Sequence, residues 1–182
     1  LVRAFVCEHK SGVDLIATEN SLSGNQDVNP DTVLAVLDVA IQMYDFIVLD
    51  VPRMWQPWTH AAIAACNHFG LVTELLIPAL HKTRLRIAAI ESQIEMAAPV
   101  DIILNKYERI SFRNSLRVSD AEQTLQREVC ARINLDADVV KEAINWGIPV
   151  GTNRPDSRYA KDCRALAETW LRENNARMSK AN

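Results

Sequence analysis

The segment Tyr44-Asp-Phe-Ile-Val-Leu-Asp-Val-Pro52 constrains the fold of this chain more than any other. Its four consecutive apolar residues, 46–49, show no polar alternation. That is the pattern of a strand covered on both faces of a parallel sheet. Such a strand ends at the carboxyl edge of its sheet, where open α/β folds bind ligands. Asp50 then stands where a Walker B carboxylate stands, able to hold the Mg2+ of a nucleotide through water. It serves equally as the cap of the loop after a core strand, and this segment favours neither role. The phosphate-binding half of such a site is missing. No Gly-x-x-x-x-Gly-Lys-Ser/Thr occurs, and Gly24, in Ser23-Gly24-Asn25, belongs to a turn.

The 182 residues suit a single α/β domain over 1–175, followed by a polar tail at 176–182 that frays. A net charge of -3 offers no basic footprint for nonspecific nucleic-acid binding. Cys7, Cys66, Cys130 and Cys163 are scattered, with no Cys-x-x-Cys pair and no histidine at ligand spacing. Reduced thiols and a cytoplasmic location are the expectation. No stretch approaches the ~18 apolar residues of a membrane span, and no signal-peptide pattern opens the chain. The first residue is Leu1, so a fragment or a processed form is expected.

Strands alternate with helices along the chain. Short strands are expected at 13–18, 46–49, 69–73, 100–104 and 131–135. Asn29 caps a helix that has Pro30 in its first turn and an apolar stripe of Val33, Leu34, Leu37 and Ile41. Further helices run from Trp58 to Asn67 and from Pro78 to about Met96. Ser119 and Glu122 have capping-box spacing for a helix ending near Glu128. Asp136 caps a helix that stops at Gly147, and Asp156 or Ser157 caps the last, with Tyr159, Cys163, Leu166 and Trp170 as its buried stripe. Strands separated by helix-length segments predict a doubly wound, mostly parallel α/β sheet.

Several segments occur in an order that carries a resemblance. They are the 44–53 segment, Trp58-Thr59, Leu71-Val-Thr73, Ile103-Leu-Asn-Lys-Tyr107 and Glu142-Ala-Ile-Asn-Trp-Gly-Ile-Pro149. Together they resemble the C-terminal two-thirds of a MinD/ParA-type P-loop ATPase, in particular the CpaE/TadZ branch of pilus-assembly proteins. The resemblance runs from about Ser11 to about Leu171. It implies that Asp50 is catalytic and holds Mg2+ through water, and that switch II covers Asp50 to Trp58. It implies that Asn105 contacts adenine, while Pro149, Val150 and Thr152 close over the base. ATP and Mg2+ are the implied cofactors of the intact protein, and a homodimer and pilus-secretion proteins are its implied partners. The implied place is the cytoplasm, at a pole or at the membrane through partners.

The family's Walker A third has no counterpart before Leu1, and Leu75 stands where a proline is frequent. Without a phosphate cradle, no nucleotide is expected to bind this chain alone and no ATP hydrolysis is expected of it. A neighbouring strand is expected to cover segment 46–49, supplied by further residues, a rearranged segment or another chain. Met54, Trp55 and Trp58, between Pro52 and Pro57, form either a packed loop or an interface. Lys106, Arg109, Arg113 and Arg117 read as a solvated loop or an anionic-partner surface. His60, His68 and His81 have no matched ligand set. Two functional classes stand: a nucleotide switch, or an ATPase-fold scaffold that binds partners without turnover. An unrelated doubly wound enzyme would have to use Asp50, Thr73, Glu74 or Asn105 at the strand ends.

Overall fold

The computed structural model describes residues 5–17, 29–53, 56–95, 98–108 and 115–181, and the chain divides into two compact units, Leu1–Cys66 and Asn67–Asn182. Met54 and Trp55 lie outside the described residues, as do Arg109 and Arg113.

In the first unit, β1 (Cys7–Glu8) pairs antiparallel with β2 (Asp14–Leu15), Cys7 opposite Leu15. Gly12, at φ 86°, makes the turn between them, a conformation that costs a residue without Cβ little. The pattern at 13–18 is therefore half of a hairpin whose other strand is only Cys7–Glu8. The helix α1 (Pro30–Ala40) starts as its sequence dictates: Asn29 Oδ1 accepts the Asp31 N–H at 2.9 Å, and Pro30 fills the first turn. Its apolar stripe is only partly covered, since Ile41 is 65% exposed. The Tyr44 hydroxyl donates to Asp14 at 2.6 Å, tying the helix exit to the hairpin. The next helix, α2 (Pro57–Ala65), packs on α1. Its start is fixed by buried Thr59, whose hydroxyl accepts the Gln56 N–H at 3.1 Å and donates to the Gln56 carbonyl at 2.7 Å.

Segment 46–49 is not a strand, a correction to the sequence reading. Phe46 is 64% exposed and Val48 91% exposed, and no ladder partner stands beside them among the described residues. Apolarity on both faces specifies a buried strand only where a sheet exists to receive it. The first unit offers a two-residue hairpin and two helices instead. The cover expected for this segment is not found among the described residues.

The second unit is an α/β layer structure in the order β3 (Phe69–Glu74), α3 (Ile77–Gln93), β4 (Val100–Tyr107), α4 (Val118–Leu125), β5 (Val129–Asn134), α5 (Ala137–Trp146), α6 (Val150–Asn153) and α7 (Arg158–Ala181). All three strands are parallel, in the order β3-β4-β5. On one face Leu71 and Ile102 pack with Leu80 and Ile87 of α3 and Ala121 and Leu125 of α4, the main core cluster. Between β3 and α3 the buried Thr73 and Thr83 hydroxyls lie 2.8 Å apart, and Thr83 also donates to the Ala79 carbonyl at 2.9 Å. Two buried hydroxyls thereby satisfy each other.

The opposite face of the sheet receives α7, so helices cover both faces, as a doubly wound sheet requires. Ser157 Oγ accepts the Ala160 N–H at 3.2 Å and starts this helix, which then continues to Ala181. Asp162 accepts both the Asn134 backbone N–H at 2.9 Å and its Nδ2–H at 2.7 Å, fixing α7 to the end of β5. Gly147 ends α5 at φ 59°, and the Ile148 N–H returns to the Ala143 carbonyl at 3.0 Å. The α4 start differs from the capping-box reading. The helix opens one residue before Ser119, Asp120 accepts the Arg117 N–H at 2.7 Å, and Glu122 instead accepts the Val129 N–H at 3.1 Å. No helix among the described residues is long and apolar enough to cross a membrane.

Candidate functional site

The carboxyl edge of the β3–β4–β5 sheet carries the polar side chains that the apolar strands deliver there. Glu74, the last residue of β3, pairs in register with Asn105 of β4. The next residue, Lys106, takes φ 51°, and the ladder to β5 slips between Leu104 and Tyr107. This is a bulge, which re-aims side chains at a sheet edge. It brings Lys106 Nζ to 2.8 Å from Glu74 Oε1. Both groups are largely exposed, so solvent screens the pair and it orients more than it stabilises.

Asn105 is half-buried, and its Oδ1 accepts the Lys106 N–H at 2.9 Å. That bond holds the carboxamide with its acceptor used and leaves Nδ2 without a protein partner among the described residues. Nδ2 is therefore a donor available to a ring nitrogen or carbonyl of a ligand. Pro149 caps the short helix α6, which contains Val150 and Thr152, and the Thr152 N–H donates to the Pro149 carbonyl at 2.9 Å. Asn153, at the end of α6, has a buried Nδ2 with no hydrogen-bond partner among the described residues. A buried donor without a partner is uncommon in native structures.

Asp50 belongs to the first unit, in an exposed position after segment 46–49 and not at the end of a strand. Trp58, also in the first unit, is half-buried, and its indole N–H donates to Gln56 Oε1 at 2.8 Å. The placement of Asn105 and Glu74 at the strand ends was legible from where the apolar runs stop. Lys106 was read as part of a loop, because a left-handed residue inside a strand leaves no composition signal. Asn153 carried no signal at all.

Asn105 Nδ2 and the orphaned Asn153 Nδ2 are hydrogen-bond donors of the kind a purine and its ribose accept. The described residues do not fit the phosphates. Gly12 and Gly147, the left-handed glycines among the described residues, each stand alone in a turn, and no glycine-rich N–H cradle occurs.

The parallel sheet with helices on both faces is the α/β architecture of the MinD/ParA-type P-loop ATPase family, to which the following matches assign the chain. A family model described as "Cellulose biosynthesis protein BcsQ" matches residues 14–171, and the chain belongs to that family. It is 25% identical over 150 residues to the septum site-determining protein MinD of Thermotoga maritima, covering 81% of this chain and 55% of that protein. A ParA family ATPase from Chlorobium tepidum superposes with a TM-score of 0.81 at 18% identity, over 93% of this chain and 67% of that one. MinD from Pyrococcus horikoshii, complexed with Mg-ADP, superposes at 0.63 with 25% identity, over 78% of this chain and 56% of that one. The chain thus spans about half the length of the curated relative it matches.

Proposed function

We propose that Asn105 and the α6 residues form the base-recognition part of a MinD/ParA-like site. In fuller terms, the protein is a MinD/ParA-like nucleotide switch that serves cellulose-biosynthesis machinery. The observation that carries this reading is Asn105, held at the carboxyl end of β4 with its acceptor engaged and its donor free. The cellulose partner is taken from the description of the matched family, which spans most of the chain. It is preferred over the pilus-secretion partner of the CpaE/TadZ branch, which rests on the sequence resemblance alone.

ATP with Mg2+, when bound, supplies a γ-phosphate whose presence or loss distinguishes two states. Asn105 Nδ2 would donate to the base and fix its orientation. Pro149, Val150 and Thr152 would exclude water from the base face. Asp50 would hold the cation, and the segment from Pro52 to Trp58, with Met54 and Trp55, would present the partner or homodimer surface.

The test uses a protein of the relatives' full length that contains these residues. Asp50→Ala abolishes ATP turnover, while Asn105→Ala raises KM several-fold with kcat nearly retained. Turnover unaffected by Asp50→Ala contradicts the switch. Absence of turnover in the unsubstituted protein, with partner binding intact, establishes the non-hydrolysing scaffold instead.

A further inference from the structure

At the amino edge of the β3–β4–β5 sheet, opposite the edge that carries Asn105, three side chains from separate elements meet. His68 immediately precedes β3, Asp101 is the second residue of β4, and Glu173 lies on α7. Asp101 Oδ2 lies 3.7 Å and Glu173 Oε2 3.8 Å from His68 Nδ1. One ligand atom from each of the three lies within 4.8 Å of the others. The sequence reading found no ligand set for His68 because its partners are distant along the chain.

Both ring nitrogens of His68 are buried and neither makes a hydrogen bond among the described residues, a state that native interiors rarely leave uncompensated. One proton on Nδ1 does not resolve it. The two oxygens stand beyond hydrogen-bond reach, and a single N–H points at only one of them. A dication on Nδ1 partners that nitrogen and both carboxylate oxygens together. A tetrahedral centre with bonds of ~2.1 Å separates its ligand atoms by roughly 3.4 Å. The two separations from His68 Nδ1 need to close by only a few tenths of an ångström, and the two carboxylates, within 4.8 Å of each other, draw together on the ion.

The donor set narrows the ion. One imidazole and two carboxylates suit a borderline transition metal, whereas Ca2+ and Mg2+ take oxygen ligands in larger number. An outer layer is already in place. The Trp170 indole N–H donates to Asp101 Oδ2 at 2.8 Å, and its ring lies 5.8 Å from the imidazole. Such hydrogen bonds orient a ligating carboxylate. The Glu173 side chain is 46% exposed, which leaves an entry path and an open coordination position for water.

We propose that His68, Asp101 and Glu173 form a three-ligand site for a zinc-like divalent cation, which fastens α7 to the amino edge of the sheet. The site is independent of the nucleotide reading and lies at the other end of the strands. The metal-stripped 182-residue chain is titrated with ZnCl2 and with CoCl2. One equivalent binds with micromolar or tighter Kd, Co2+ develops visible d–d absorption, and the thermal midpoint rises with metal. His68→Asn and Glu173→Gln each weaken binding by at least about tenfold. Glu173 is on the exposed side of a helix, so its variant reads out the site even if the His68 variant fails to fold. Absence of saturable binding below about millimolar metal, or unchanged affinity in Glu173→Gln, overturns the proposal.

Discussion

Trp170 of α7 packs against the bare backbone of Gly70 in β3. A Cβ placed on Gly70 stands 3.0 Å from Trp170 Cη2 and 2.9 Å from Ile103 Cδ1. The Ile103 methyl ends a flexible side chain and can swing aside. The indole is held by its hydrogen bond to Asp101 and has less freedom to retreat. Absence of a side chain at Gly70 is what lets the last helix approach the sheet.

Gly70→Ala therefore lowers stability. Alanine gains up to ~1 kcal/mol through the unfolded chain. Overpacking of this kind costs about 1–3 kcal/mol, and the overlap outweighs the gain. Urea unfolding measures the difference; an unchanged or higher midpoint shows that α7 yields without cost.

Val48 and Phe46 are exposed without a ladder partner among the described residues, which makes segment 46–49 a template for pairing with another chain. Val48→Lys lowers self-association of the chain in sedimentation velocity. The thermal midpoint stays nearly unchanged, since exposed substitutions usually shift stability by under ~0.5 kcal/mol. A marked fall in the midpoint shows that Val48 is covered in solution.

Local chemistry was legible and long-range pairing was not. Asn29 with Pro30 and the stop at Gly147 announced α1 and α5 because caps and left-handed glycines act within a turn. The apolar runs ending at Glu74 and Asn105 placed those residues at the sheet edge. Segment 46–49 looked like the surest strand, yet a strand is a property of its neighbours as well as of its own residues. For the same reason β1 went unread, and His68 seemed isolated until folding brought residues 101 and 173 beside it.

Burial raises the thiols of Cys66 and Cys163 above the ordinary value of 9.0, although the Tyr159 hydrogen bond partly offsets this at Cys163. A group that holds its proton more tightly when folded contributes stability that is fully present below its unfolded pKa. That contribution is lost as pH rises through the higher folded value. Stability is therefore predicted to decline from about pH 9 upward, with a smaller decline in Cys66→Ala and Cys163→Ala, as thermal midpoints across pH 7–11 report. Equal declines in the variants remove these thiols as the cause.

We propose Asn105 and the α6 turn as the base end of a nucleotide site whose phosphate cradle these residues lack. Its most direct test is an amide NMR titration of the 182-residue chain with Mg-ATP. The account predicts saturable shifts at the Asn105 side-chain amide and at Val150 and Thr152, with Kd no tighter than about millimolar, because the phosphate contacts are missing. Micromolar affinity, or saturating nucleotide that leaves these three residues unmoved, contradicts it.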